Sequence, residues 1–305
     1  MKFTKSALLL AILAGVSGSA VANVDVYGRA NVSVQSSDEG EGSTTEIKSN
    51  ASRFGVKGSE KLDNGLEVIY KMEFQVDVAD DEGDNIKARN QYVGLKGGFG
   101  EVVVGRNDTA FKQSQGKLDL FNDLEGDIKR LFKGENRLGD TVSYKSMDLN
   151  GFRFLATYIA KDTSDGKSGV STAVTYGDSG LKNSNVYVSL AADSEVKGYD
   201  AVRFGVHTKV SGVKLGAMYQ TQEKVDGTAD ADGYLLNAAY SMGANTFKVQ
   251  YQTMDVDGAD SLDGISLGID HKLSKEAKLY GFYSTFDADS QTEDTYFGIG
   301  MQYSF

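Results

Sequence analysis

Apolar and polar residues alternate strictly over the last nine positions of the chain, 297–305. Phe297, Ile299, Met301, Tyr303 and Phe305 share one parity, whereas Gly298, Gly300, Gln302 and Ser304 share the other. A period of two is that of a β-strand, whose successive side chains point to opposite faces. This segment therefore predicts an extended strand with one apolar face and one polar or tightly packed face.

The same period recurs along most of the chain and predicts sixteen strands. Most of them exceed the roughly five or six residues usual in globular sheets and match the roughly 9 to 11 that a tilted strand needs to cross a bilayer. The pattern indicates an all-β fold, a transmembrane antiparallel up-and-down β-barrel. The predicted strands are 24–36, 53–62, 66–77, 86–98, 100–108, 138–147, 152–161, 169–177, 184–194, 199–210, 213–224, 232–243, 245–256, 262–273, 277–289 and 293–305.

Two predicted strands depart from strict alternation. Both parities carry apolar residues over 152–161, and Tyr280 and Phe282 are out of phase with Leu279 and Tyr283. A packed inner wall or a contact between subunits would each account for these side chains.

Short and long connections alternate between the predicted strands. The turns at 63–65, 149–151, 211–212 and 243–244 are tight, and Asn-Gly pairs supply the positive φ that such hairpins need. Longer acidic, glycine-rich stretches fall between them, at 37–52, 80–85, 223–232 and 255–263. Short turns at one end and long loops at the other are typical of a barrel inserted from the periplasm.

The composition agrees with a barrel and excludes several other classes of protein. The chain has no Pro and no Cys but 36 Gly, which suits long strands paired on both edges and leaves neither a disulfide framework nor a thiolate site. A mean hydropathy of −0.33 does not fit membrane-spanning helices, whereas a barrel needs an apolar residue only at every second position. A formal net charge of −11 argues against nucleic-acid binding. We expect no cofactor and no metal site, because the acidic residues are diffuse.

The first 22 residues have the pattern of a secretory signal. Lys2 and Lys5 precede an apolar core, and small residues lead to an A-x-A site at Ala20-Val21-Ala22. We expect cleavage after Ala22, which leaves residues 23–305 as a single barrel domain. A membrane anchor is the weaker interpretation, since the core is shorter than the roughly 17 to 25 residues of a spanning helix.

Four blocks of the chain resemble the Gram-negative general porin family, in that family's order. They read VDVYGRANVSV from Val24, SRFGVKGSEKLDNGLEVIYKMEFQ from Ser52, ARNQYVGLKGGFGEVVVGRND from Ala88 and YFGIGMQYSF from Tyr296. The resemblance covers essentially the whole mature chain. It implies an outer-membrane channel for passive diffusion of small hydrophilic solutes and ions, assembled as a homotrimer in lipid and lipopolysaccharide.

The resemblance also implies that the third long loop folds into the barrel and narrows it. That loop is the segment 109–136, twenty-eight residues of helix-friendly composition without alternation. An insert of this length without strand structure favours a functional loop. The family's Pro-Glu-Phe-Gly-Gly signature is missing from it, which leaves its path and the position of its acidic residues open.

A constriction of this kind opposes basic wall residues to acidic loop residues, and the field between them selects solutes. Arg29, Arg53 and Arg137 share parity with polar strand neighbours and should point inward, whereas Arg89 shares parity with Gln91 but also with Val93 and Leu95. These four positions match the family's basic wall residues. Candidate acidic partners are Asp108, Asp119, Asp123, Glu125 and Asp127, although charged loop residues more often form a solvated face.

Three other functions remain open from the sequence. An outer-membrane hydrolase would need a histidine base, but His207 and His271 are far apart and no nucleophile motif accompanies them. A substrate-selective channel of the same barrel type needs only one specific track of side chains inside the barrel. A closed structural barrel is disfavoured, because eight strands fill with side chains whereas sixteen leave an aqueous interior.

Overall fold

The computed structural model describes residues 23–80, 85–161, 163, 166–288 and 293–305. The predicted signal segment 1–22 lies outside the described residues. No helix in the described part is long and apolar enough to cross a membrane.

The described residues form one antiparallel sheet that closes on itself. The first strand, β1, pairs with the last, β17, from Arg29 opposite Ser304 to Asp38 opposite Thr295. The strands are β1 Asn23–Asp38, β2 Thr44–Ser49, β3 Arg53–Lys61, β4 Glu67–Val76, β5 Ile86–Gly97, β6 Gly100–Asp108, β7 Arg137–Lys145, β8 Phe152–Ile159, β9 Gly169–Gly177, β10 Val186–Val196, β11 Tyr199–Val210, β12 Val213–Lys224, β13 Asp230–Met242, β14 Asn245–Val256, β15 Leu262–Lys272, β16 Ala277–Ala288 and β17 Asp294–Ser304.

The seventeen strand segments of the described chain make sixteen crossings, because β2 and β3 are successive parts of one crossing. Both pair with β1, and the break between them falls at residues 50–52, where Ala51 has a φ of 51°. The predicted sixteen-stranded barrel is confirmed. The expectation of a loop throughout 37–52 is wrong, because β1 continues to Asp38 and 44–49 pairs with it.

The barrel is apolar outside and polar inside. Phe297, Ile299 and Met301 of β17 are about half exposed, whereas Ser33 and Gln35 of β1 face inward and are buried. An apolar outer belt is stable in lipid, and the closed ladder leaves no backbone hydrogen-bonding edge in the hydrocarbon.

Two of the three register shifts among the described strands lie next to residues of the inner wall that are discussed below. The register between β4 and β5 shifts between Met72 and Phe74, and that between β6 and β7 shifts between Gly105 and Asn107. Gly105 has a φ of 135°, and a side chain there would lie 2.4 Å from the Gln91 carbonyl oxygen, so only glycine fits this bulge.

The segment 109–136, hereafter the inner loop, lies against the inner wall of the barrel. It contains the short helix α1, Ala110–Ser114, and a 3₁₀ turn, Ile128–Arg130. Its apolar residues pack on inward-facing residues of β12–β17 in one buried cluster. Loop members of that cluster are Leu118, Phe121, Ile128, Leu131 and Phe132, and wall members are Met218, Leu235, Met254, Tyr280, Phe282, Phe286 and Tyr296.

This packing explains the strands that depart from alternation. Tyr280 and Phe282 face inward against the inner loop, while Leu155 of β8 joins Ala110 and Phe111 in a second cluster. Of the two explanations that the sequence left open, the packed inner wall accounts for both strands.

Candidate channel constriction

Two arginines and one carboxylate meet where the inner loop reaches β1 and β3. Arg29 and Arg53 stand directly opposite each other in the register of the two strands, an arrangement of like charges that is destabilising on its own. Asp123 Oδ2 accepts a hydrogen bond from Arg53 Nη2 at 2.7 Å and another from Arg29 Nη2. One carboxylate thus holds two guanidinium groups, and the cluster keeps a net positive charge.

The other two wall arginines are held by acceptors of the wall itself. Arg89 is buried and donates from Nε to Glu73 Oε1 at 2.8 Å. Arg137 donates from Nε to Asn90 Oδ1 at 2.7 Å and lies 3.0 Å from Asp108 Oδ1. The bulge in β5 turns Arg89 inward although Val93, of the same parity, is exposed on the outer face.

Two of the candidate loop acids stabilise the loop rather than face the opening. Asp119 accepts backbone hydrogen bonds from Phe121 N at 2.9 Å and Ile128 N at 3.2 Å. Asp127 accepts from Asp123 N and Lys129 N, each at 2.9 Å. Both carboxyl groups are buried, and burial, followed by the neighbouring Asp127, raises the pKa of Asp119.

Glu125 is bound to the wall near the loop tip. Its Oε1 accepts hydrogen bonds from Lys48 Nζ and, at 3.1 Å, from Gln35 Nε2. Burial acts to raise the pKa of Glu125, but the hydrogen bonds from Lys48 and Gln35 outweigh it and leave that pKa below its usual value. Its charge is therefore offset by that of Lys48.

A cavity of about 860 Å³ lies between the inner loop and the wall, and charged side chains dominate its lining. Lys117 is exposed and takes part in no ion pair among the described residues, and the Lys129 side chain is 63% exposed. The basic lining residues are Lys48, Arg53, Arg89, Lys112, Lys117, Lys129, Arg130 and Arg137, and the acidic ones are Asp108, Asp119, Asp123, Glu125, Asp127 and Glu135.

The returning end of the inner loop is fixed to β11 and β12 by residues that the sequence did not single out. Arg203 is 1% exposed and donates from Nη1 to Glu135 Oε1 at 2.6 Å and from Nη2 to the Lys133 carbonyl at 3.1 Å. Its Cζ lies 4.4 Å from the centre of the Phe111 ring, and its Nε donates to Gln220 Oε1 at 2.7 Å. An arginine at an inward position of a strand is the only signal that the sequence offered for this anchor.

The structure thus brings most of the sequence-predicted residues to one place. Arg53, Arg89 and Arg137 line the cavity together with all five acidic candidates, and Arg29 joins them through Asp123. The carboxylates differ in their partners. Asp108, Asp123 and Glu125 form ion pairs with basic wall residues, whereas Asp119 and Asp127 accept hydrogen bonds from the loop backbone.

The two histidines lie apart from this cavity and from each other. His207 is buried on the inner face of β11, with Nδ1 3.3 Å from the Ser179 carbonyl oxygen. His271 is exposed near the end of β15, with Nδ1 2.7 Å from Asn245 Oδ1. Among the described residues no group of three or more His, Cys, Asp or Glu is placed to hold a metal ion.

Comparison with known proteins gives matches over nearly the whole chain. A family model described as Gram-negative porin matches residues 7–304. The major outer membrane protein P.IB of Neisseria meningitidis is 24% identical over 99% of this chain and all of its own, and that of Neisseria gonorrhoeae is 27% identical over 89% and 90%.

Solved structures give the same fold. An anion-selective porin from Comamonas acidovorans superposes with a TM-score of 0.80 at 22% identity, covering 93% of this chain and all of that one. The trimer form of OmpT, an outer membrane protein of Vibrio cholerae, has a TM-score of 0.74 at 17% identity, covering 94% and all of the respective chains.

Proposed function

The chain belongs to the Gram-negative porin family, and on that premise we propose that its channel prefers small anions to cations. It is a multi-pass protein of the outer membrane that forms a water-filled passage for the diffusion of small hydrophilic solutes. Porins are channels rather than enzymes.

We assign the constriction to the inner loop and the wall opposite it. Arg29 and Arg53 with Asp123 form its centre, and Arg137 with Asp108 closes the root of the loop. Charges fixed on rigid strands, in a narrow passage through a low-dielectric wall, act on a passing ion with little screening.

The anion preference rests on one observation: the carboxylates of this cavity are engaged, whereas Lys117 takes part in no ion pair among the described residues and Lys129, whose Nζ lies 3.6 Å from Asp127 Oδ2, has a side chain that is 63% exposed. Asp119 and Asp127 are buried in loop hydrogen bonds, and Asp123 is shared by two arginines. Lys117 and Lys129 extend into the cavity. A passing ion therefore meets ammonium and guanidinium groups more often than carboxylates, despite the acidic chain. The structural neighbour from Comamonas acidovorans is itself described as anion-selective.

The zero-current potential of the protein in a planar bilayer between unequal KCl solutions tests the proposal. Chloride should pass faster than potassium, so the dilute side should become negative with respect to the concentrated side. The double variant Lys117→Gln, Lys129→Gln should reduce this potential, while the control Lys275→Gln, in the exposed turn after β15, should not. A dilute side that becomes positive would contradict the anion preference.

We further propose that three copies assemble through the outer face of β1. Val24, Val26 and Val34 are exposed there, as is Ala30, and together they form an apolar stripe. OmpT of Vibrio cholerae, of similar fold, is described in a trimer form. Gel mobility in detergent should shift from a trimer to a monomer band on heating, and Val26→Asp with Val34→Asp should give the monomer band without heating. Wild-type protein that runs as a monomer before heating would refute the assembly.

A further inference from the structure

Asp123 lies in a turn of the inner loop, three residues after Leu120 and three residues before Gly126. The φ of Asp123 is 70°, and its carboxylate reaches Arg29 and Arg53 of the wall. Leu120 and Gly126 are here called the two limbs of this turn. The position of the carboxylate therefore depends on how the two limbs are attached to the barrel.

One wall side chain binds both limbs. Gln250 of β14 is fully buried; its Oε1 accepts a hydrogen bond from Leu120 N at 3.0 Å, and its Nε2 donates to the Gly126 carbonyl at 2.9 Å. The same Nε2 also donates to Asp119 Oδ1, at 3.2 Å. The Gly126 carbonyl accepts a second hydrogen bond, from Gln252 Nε2 at 3.2 Å. Both limbs are thus attached to the wall through their backbone atoms.

Only an amide side chain can make this pair of contacts. An amide accepts through its oxygen and donates through its nitrogen, whereas a carboxylate only accepts and an aliphatic chain does neither. The Leu120 N–H can only donate and the Gly126 carbonyl can only accept, so the amide group of Gln250 has one orientation. Because a buried donor or acceptor that loses its partner is costly, the two limbs stay on the wall together.

The second limb lies so close to the wall that it has no room for a side chain. A Cβ atom at Gly126 would collide with Ser266 Oγ of β15 and lie 2.9 Å from Phe121 Cβ. A backbone that approaches its neighbours this closely needs glycine. The Gly126 carbonyl therefore reaches Gln250 and Gln252 only because no side chain separates the loop from β15.

We propose that Gln250, although it is fully buried, is a positioning residue that sets the selectivity of the channel through Asp123. By holding both limbs of the turn, it keeps the Asp123 carboxylate between Arg29 and Arg53, where the carboxylate offsets part of their charge. Without the amide of Gln250, the turn moves off the wall and the carboxylate acts less strongly on a passing ion. This inference rests on the constriction proposed above.

The effect of Asp123→Asn on the zero-current potential in a KCl gradient, measured with and without Gln250→Met, tests this role. In the otherwise native chain, Asp123→Asn should shift the potential toward anion preference. Gln250→Met keeps the length of the side chain but removes the amide, so in that variant Asp123→Asn should shift the potential by about half as much or less. A residue that only stabilised the barrel would leave the size of this shift unchanged.

Gln220→Met is the matched control. Gln220 is also a fully buried wall amide that binds the inner loop, but it donates to the Lys133 carbonyl, at 3.0 Å and ten residues beyond Asp123. The shift caused by Asp123→Asn should keep its full size in Gln220→Met.

A second variant tests the proposal without changing the wall. Gly126→Ala keeps every wall side chain but forces the second limb away from Ser266, so it should reduce the shift as Gln250→Met does. It also provides the test if gel mobility in detergent shows that Gln250→Met does not assemble.

Three results would overturn the proposal, and they differ in what else they refute. If Asp123→Asn leaves the potential of the otherwise native chain unchanged, the constriction lies elsewhere and Gln250 has no selecting carboxylate to position. If the shift is present in the native chain and equally large in Gln250→Met, or in Gly126→Ala where Gln250→Met does not assemble, the constriction stands and only the role of Gln250 is refuted. If Gln220→Met reduces the shift as much as Gln250→Met does, any loosening of the inner loop has this effect and the assignment to Gln250 is wrong.

Discussion

Replacing Arg203 by alanine is expected to free the returning end of the inner loop, raising single-channel conductance and current noise. The substitution removes four contacts at once, with Glu135, the Lys133 carbonyl, Gln220 and the Phe111 ring. It also leaves the buried Glu135 carboxylate without its cation. Breaking a buried ion pair in this way costs about 3–5 kcal/mol, enough to shift the loop away from the wall.

Two further variants separate the anchor from a general effect of losing an arginine. Arg203→Lys keeps the charge but not the planar group with several donors, so it should give an intermediate conductance. Arg153→Ala removes a lumen-facing arginine whose side chain is 48% exposed and 3.8 Å from Asp148, and it should leave current noise unchanged. If Arg203→Ala has the single-channel conductance and current noise of the wild type, the apolar cluster alone holds the inner loop.

The effect of Arg203→Ala should depend on pH. Burial raises the pKa of Glu135, and Arg203 opposes that rise, so the carboxyl should take up a proton more readily in the variant. If the carboxyl group has a higher pKa with the inner loop packed on the wall than with the loop released, its protonation favours the packed loop at low pH. This favourable contribution is lost as the pH rises through the higher pKa. Current noise in Arg203→Ala should therefore be lower at pH 5 than at pH 8, and Glu135→Gln added to Arg203→Ala should remove the difference.

The closed barrel could be predicted from sequence because its determinant is local. Alternation of apolar and polar residues fixes which face of each strand meets lipid, and antiparallel neighbours follow from the tight turns. The segment 44–49 escaped prediction because Ile47 is its only apolar residue. That segment is a strand by virtue of pairing with β1 rather than of its own pattern.

The inward turn of Arg89 could not be predicted, because a single bulge reverses the parity of everything beyond it. Nothing in the run Ala88-Arg89-Asn90-Gln91 marks where the extra residue lies. The partner strand determines it, since Phe74 pairs with Ala88 whereas Met72 pairs with Gln91.

The roles of the loop acids could not be distinguished from sequence either. Asp119, Asp123 and Asp127 are spaced four apart and look equivalent along the chain. The path of the loop backbone separates them, because it turns the first and last toward N–H groups of the loop and Asp123, at a φ of 70°, toward the wall. Apolar loop residues and out-of-phase aromatics in β16 both signalled burial, but only the fold shows that they bury each other.

Removing both arginines that bind Asp123 is expected to reverse the selectivity of the channel. In the double variant Arg29→Ala, Arg53→Ala the cluster changes from two cations and one carboxylate to a lone carboxylate at the narrowest point proposed. The zero-current potential should then change sign toward cations, and conductance should rise because two large side chains are gone. Arg53→Ala alone should give a smaller change, since Arg29 still binds Asp123.

The opposite change at the same cluster distinguishes field from width. Asp123→Asn leaves two guanidinium groups directly opposite each other without their carboxylate, so it should increase the preference for anions while altering the size of the passage little. The two variants should therefore move the zero-current potential in opposite directions, by amounts that shrink between 0.1 M and 1 M salt as the Debye length falls from about 10 Å to about 3 Å. Shifts in the same direction, or a double variant that conducts and selects like the wild type, would place the selecting charges elsewhere in the passage.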